Sequence, residues 1–244
     1  MDTTESGRTA LVVGASADIA SAVALKLSDS GMTVGVHLGH RTEAAAIIAR
    51  KIEETGGRAF PIVSDLHSSE GMPELWKQFD RHARHLDVLV SHADTTGRRR
   101  ALIDVQLQDL DEVFDANVRL PFLLVQHALA RLRDHGRIIH VASRYPYGTC
   151  DSHLLPYAMS KAAMDAFTTI LAPDLRARGI TVNSVGPRAT RIEHVADTAA
   201  GLTENLLEHT ADPDDVAEIV AFFASDDARW ITGQWLDATS EPAP

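Results

Sequence analysis

Cysteine is almost missing from this chain. Cys150 is the single one in 244 residues, which excludes an intrachain disulfide and fits a reducing compartment. Aromatic residues are scarce at 5%, although 45% of the chain is hydrophobic, so the apolar content is largely aliphatic. That balance suits aliphatic strands packed against alanine-rich helices better than a β-sandwich. Basic residues are outnumbered, 23 against 34 acidic, and the net charge of −11 leaves no global field to attract nucleic acid or an anionic membrane. No apolar run approaches the ~18 residues of a membrane span. The N-terminal MDTTESGRT has no apolar signal segment. A cytoplasmic location is therefore expected, with neither nucleic acid nor membrane as a partner. The close histidine pairs, His37/His40 and His82/His85, lack an adjacent third ligand, so no metal is expected.

What is present alternates regularly. Short β-rich runs at 9–13, 33–38, 59–63, 86–90, 137–142, 181–185 and 233–237 are separated by helix-periodic stretches at 18–30, 42–55, 69–84, 104–133, 156–177 and 213–225. The fourth of these helical stretches is expected to break near Pro121. Strands alternating with helices imply right-handed crossovers, and hence a Rossmann-type α/β fold: a doubly wound, seven-stranded parallel sheet with helices on both faces. No linker or composition shift divides the pattern, so residues 1–244 are expected to form one domain.

In such a sheet the ligand lies at the carboxyl ends of the strands, where the strand order reverses. The turn after the first strand reads GASADIA, with one glycine where nucleotide-binding turns carry three. Gly14 permits the tight turn, and Ala20 is small enough for helix–strand packing. Asp18 would repel a pyrophosphate, yet aspartate is also a favoured helix N-cap. Taken alone, this turn is a weak signal.

The stronger signal is Tyr157-Ala-Met-Ser-Lys161, with Ser143 fourteen residues before the tyrosine at a strand end. Tyr and Lys four apart share one helix face. A phenol ordinarily titrates near ~10, and a neighbouring ammonium lowers that by ~1–3 units. A tyrosine so tuned exchanges a proton with a carbonyl or alcohol oxygen. A serine beside it can hold the same oxygen by a hydrogen bond.

In motif order and content the chain resembles the classical short-chain dehydrogenases/reductases over essentially its whole length, as a divergent ketoreductase-like member. The Gly-rich turn is similar to residues 13–20, the adenine-side aspartate to Asp65 in VSDL, and the helix asparagine to Asn117 in FDANV. The segment after the sixth strand, usually Asn-x-x-x-Pro-Gly, stands here as Asn183-Ser-Val-Gly-Pro187-Arg188. The resemblance implies Tyr157 as the acid for carbonyl reduction or the base for the reverse, and Lys161 as the ligand of the nicotinamide ribose that also tunes Tyr157. It implies Ser143 as the residue that orients the substrate oxygen. Asn117, at a helix irregularity, would hold a water linking Lys161 to solvent. The implied cofactor set is Gly14, Ser16, Asp18, Ile19, His37, Arg41, Asp65, Leu66, Ala93, Lys161, Pro187 and Thr190. A cofactor half over 9–120, a catalytic half over 121–244, and a homotetramer or homodimer follow from the same likeness.

The chain departs from that pattern at the turn glycines and at Arg188. A third departure is Ser91-His92-Ala93-Asp94, where Asn-Asn-Ala-Gly is usual, which bears on the adenosine-side wall. The second strand ends in His37-Leu-Gly-His40-Arg41 with no acid before Glu43. An arginine there suits a 2′-phosphate, so NADPH is expected over NADH. The substrate is expected to be a small-molecule ketone of specialised metabolism, walled by 95–100, 144–156 and 188–209. Pro173, taken to interrupt its helix, argues against docking of a carrier protein. Enoyl-thioester reductases would space the Tyr and Lys seven apart, and these stand four apart. Two readings stay open beside ketone reduction: alcohol oxidation, and a noncatalytic NADP(H)-binding sensor or scaffold.

Overall fold

The central strands are buried on both faces, as parallel strands covered by helices must be. In the computed structural model, which describes residues 7–14, 17–39, 42–92, 94–142, 152–187 and 212–238, β1 (Thr9–Gly14), β2 (Thr33–His37), β4 (Leu86–His92) and β6 (Thr181–Pro187) are almost wholly enclosed, β6 with polar Thr181, Asn183 and Ser184 among its buried residues. The edge strands β3 (Arg58–Ile62) and β7 (Trp235–Ala238) alternate with exposed residues, and β5 (Leu132–Val141) is exposed only at its start. All seven lie parallel in one sheet of order β3-β2-β1-β4-β5-β6-β7. The order reverses between β1 and β4, so their carboxyl ends frame the crevice where a ligand is expected.

Alternate residues of each strand feed two cores. Val12, Val36, Val90 and Ile139 pack under α1 (Ala17–Asp29), α2 (Thr42–Glu54) and α7 (Pro213–Ala224). On the other face, Leu11, Leu89, Ile138 and Val182 pack under α3 (Gly71–His82), α5 (Leu120–Ala128) and α6 (Leu155–Asp174).

Several boundaries differ from the sequence expectation. The long fourth helix is three pieces: α4 (Leu107–Phe114), a π-helical turn at Asp115–Arg119, and α5. Its break falls near Pro121, as expected, in the turn just before it. The proline ring crowds the carbonyl four residues earlier, that of Asn117, and offers no N–H to it; the wide turn absorbs both defects. β4 runs two residues longer than expected because Ser91 and His92 still pair with His140 and Val141. β5 starts at Leu132, opposite Leu86, and a register shift separates that pair from the main ladder. Asp18 is not an N-cap. It lies in the first turn of α1, where a carboxylate still meets the positive end of the helix dipole. Pro173 does not interrupt α6 either: it occupies the last turn, where a lost backbone hydrogen bond no longer breaks the helix.

Candidate active site

At the carboxyl ends of β1 to β4 lies a cavity of about 280 Å³, walled by Val13, Gly14, His37, Leu38, Asp65, Leu66, Ser91, His92, Asp94 and Thr95. Its position at the order reversal is that of a dinucleotide site. Gly14 closes β1 beside it, and Asp65 and Leu66 follow β3. The Asp65 loop is fastened from below, with Ser68 Oγ donating to the Asp65 carbonyl at 2.8 Å and the His67 amide to Oδ1 at 3.0 Å. His37 lines the cavity but is engaged beneath it. Its Nε2 lies 2.9 Å from the Ser64 carbonyl, an acceptor only, so that nitrogen carries the proton. His37 therefore shapes the pocket floor rather than offering a free donor to a ligand. Asp18 is exposed on α1 and Ile19 is buried in the core beneath it; neither is among the residues that wall the cavity. Pro187 ends β6, paired with Ala238. Ser16, Arg41, Ala93, Ser143 and Thr190 lie outside the described residues.

The catalytic candidates converge at the mouth of β4. Helix α6 buries a stripe of Tyr157, Ser160, Lys161, Met164, Thr168 and Ala172, the three-to-four spacing of one face. This puts the Lys161 ammonium 5.0 Å from the centre of the Tyr157 ring. Both side chains meet Asp94. The tyrosine hydroxyl donates to Oδ2 at 3.3 Å, and the ammonium forms an ion pair with Oδ1 at 3.0 Å. Lys161 is 2% exposed, so this charge is held in a poorly solvated place where a counter-ion matters.

Asn117 sits in the π turn, fully enclosed, and joins three elements. Its Oδ1 accepts from the Thr95 amide at 2.9 Å, and its Nδ2 donates to the Thr95 carbonyl at 2.9 Å and to Ser160 Oγ at 3.0 Å. Ser160 in turn donates to the Tyr157 carbonyl at 2.7 Å. The asparagine side chain thus fixes the exit of β4 against the helix that carries Tyr157 and Lys161. One wall is more apolar in behaviour than its sequence implies. Burial pushes the His92 imidazole down to about 4, with Lys161 adding to the fall and Asp94 opposing it. Its enclosed Nδ1 has no hydrogen-bond partner among the described residues. His140, in register with Ser91 on β5, is likewise pushed down to about 4 by burial, and lies 2.6 Å from Ser91 Oγ.

Comparison with known proteins follows the same lines. The family model described as Enoyl-(Acyl carrier protein) reductase matches residues 14–238. The chain is similar to hydroxynaphthalene reductase arp2 of Aspergillus fumigatus, 30% identical over 95% of this chain and 90% of that protein. It is similar to the crystal structure of angucycline C-6 ketoreductase LanV with bound NADP, at 36% identity and a TM-score of 0.86, covering 95% of this chain and 93% of that one. It is also similar to a short-chain dehydrogenase/reductase from Serratia marcescens, at 31% identity and a TM-score of 0.84, covering 95% and 96%. The chain belongs to the short-chain dehydrogenase/reductase family.

Within that family frame, two functional residues escaped the sequence reading of roles. Ser160 lies inside the Tyr157–Lys161 motif and had no role assigned to it. Asp94, part of the departure at Ser91–Asp94, walls the cavity and also meets Tyr157 and Lys161. The signal was present as an acid in the place of a glycine, but its target lies 63 residues away from it along the chain.

Proposed function

We propose that this chain reduces a ketone on a fused-ring aromatic or polyketide-like small molecule to a secondary alcohol, using NADPH. The observation that carries the reading is the Tyr157–Lys161 pair, buried on one face of α6 and meeting Asp94 in the wall of the switch-point cavity. The names of the relatives point the same way: a hydroxynaphthalene reductase and an NADP-bound angucycline ketoreductase.

The residues present suit a dinucleotide. Asp65 and Leu66 wall the cavity on the side suited to adenine, and the buried Lys161 ammonium, paired with Asp94 of the same wall, suits ribose hydroxyls. Bound there, NADPH would supply the hydride for the carbonyl carbon. Tyr157 gives its hydroxyl proton to the carbonyl oxygen, so the product is the neutral alcohol. Lys161 stabilises the phenolate that results. Ser143 is assigned the task of holding the substrate oxygen, and Arg41 that of meeting the 2′-phosphate. Asn117 keeps the β4 exit and α6 in register for the transfer.

Residues 1–244 act as one unit on this reading, in two or four copies in the cytoplasm. Leu107, Phe122, Met159 and Ile170 leave apolar surface exposed on α4, α5 and α6 for such contacts. Among the described residues no helix is long and apolar enough to cross a membrane.

The test is calorimetric titration with NADPH and NADH, followed by a screen of fused-ring ketones with 2-tetralone among them. Tight NADPH binding and turnover that falls by orders of magnitude in Tyr157→Phe are expected. Binding of NADPH with no ketone turned over by the wild type, and the same binding in Tyr157→Phe, would return the protein to the class of sensors or scaffolds.

A further inference from the structure

We propose that Asp94 is a positioning residue of the reductive centre, whose carboxylate holds the Tyr157 hydroxyl and balances the Lys161 ammonium so that Tyr157 stays a proton donor. The inference rests on Tyr157 and Lys161 being the catalytic pair. It goes beyond that pair by adding a third charged member.

The geometry is specific. One carboxylate oxygen accepts from the phenol at 3.3 Å and the other pairs with the ammonium at 3.0 Å, so a single side chain spans both catalytic groups. A lysine standing alone beside a phenol favours phenolate, which is the base needed for alcohol oxidation. A carboxylate interposed between them opposes phenolate by like charge and rewards the protonated hydroxyl by accepting its hydrogen bond. Lys161 and Asp94 act on Tyr157 with opposite signs, and the carboxylate is the group in hydrogen-bond contact with the hydroxyl.

Among the described residues, the other groups near the phenol do not repeat this effect. On α6 itself, Ser160 is uncharged, and from the π turn Asn117 is an amide. From β4, His92 lies within the field of Lys161 and Asp94, and burial keeps it neutral until about pH 4. Near and above neutral pH the charge balance at Tyr157 is therefore set, among the described residues, by Lys161 and Asp94. The chemical consequence is directional: proton donation to a ketone persists to higher pH, and oxidation of the alcohol is held back.

The experiment reads the phenol directly and needs no substrate. The chain has three tyrosines, Tyr145, Tyr147 and Tyr157. Phenolate absorbance is titrated in the intact protein with and without Tyr157→Phe, over the pH range in which the far-ultraviolet circular dichroism stays constant. The difference isolates Tyr157. The same subtraction is then made in the Asp94→Asn background, and in Asp94→Gly in case the amide perturbs folding. The Tyr157 transition should move down by about one pH unit or more in both, as expected for loss of an adjacent carboxylate. The alkaline limb of 2-tetralone reduction should move with it, and the ratio of oxidation to reduction at neutral pH should rise several-fold. Superimposable Tyr157 titrations in wild type and both variants overturn the role of Asp94, whatever the assays show. If the titration shifts while Tyr157→Phe retains turnover, the charge coupling stands and it is the catalytic reading that fails, along with the directional consequence drawn here.

Discussion

Ser160 shows how much of the site rests on a side chain that takes no part in the chemistry. It is wholly buried, accepts from Asn117 and donates to the Tyr157 carbonyl, so it couples the π turn to the catalytic helix. Replacing it with alanine strands one amide N–H of Asn117, at a cost of about 1–3 kcal/mol for an unsatisfied buried donor. Urea denaturation of Ser160→Ala should show that loss as a lower midpoint with an unchanged slope. Turnover should fall more than NADPH affinity, because the Asn117–Thr95 clamp on the cavity side survives. Tyr157 and Lys161 were legible in the sequence because their spacing of four is itself a geometric statement about a helix face. Ser160 carries no such mark, since a serine between two catalytic residues reads as filler until its partners are known. Asp94 was visible as an oddity, but its meaning depends on where the end of β4 meets α6, which no local pattern encodes.

Gly71, the first residue of α3, shows that the placement of an element can depend on one missing carbon. A methyl built there would stand 1.6 Å from the Asp65 carbonyl oxygen and 2.4 Å from its carbon, both backbone atoms. The helix start and the loop that walls the cavity are therefore in contact at the limit of approach. Gly71→Ala should push the Asp65 loop outward, cost about 1–3 kcal/mol as an overpacked site does, and weaken NADPH binding in the same calorimetric titration. Unchanged binding would mean that Asp65 is remote from the ligand. The strands and most helices were legible because a doubly wound sheet demands long apolar runs for its buried strands and a 3.6-residue stripe for each covering helix. The π turn was not. Pro121 announced a break, but where the break falls depends on how the preceding carbonyls are re-paired, and the helix resolved it upstream at Asn117. The early start of β5 was hidden for a similar reason: its exposed Arg133–Asp134–His135 stretch reads as a turn and is held in the ladder only by Leu132 pairing with Leu86.

Across the whole molecule, the sheet encloses polar side chains as well as aliphatic ones, and that sets how the fold responds to acid. His140 is 1% exposed on β5, hydrogen-bonded to Ser91 and edge-on to Phe167 with ring centres 5.5 Å apart. Burial depresses its imidazole from 6.5 to about 4, and the enclosed ring of His92 shows the same fall. Both histidines are thus neutral in the native protein where the unfolded chain would bind protons. A depressed histidine contributes stability that is fully present above its ordinary value near 6.5 and is lost as pH falls from there toward about 4. Each could remove up to about 3 kcal/mol by the lower limit of that window, an order-of-magnitude figure from the size of the shifts. Equilibrium unfolding in urea across that range should show stability falling steeply with acid, with close to two protons taken up on unfolding from these two sites. His140→Leu should be less stable at neutral pH, because the Ser91 hydroxyl loses its partner, yet it should show a shallower fall between pH 6.5 and 4 by about one proton. Parallel curves for wild type and His140→Leu would mean that acid sensitivity resides in carboxylates instead.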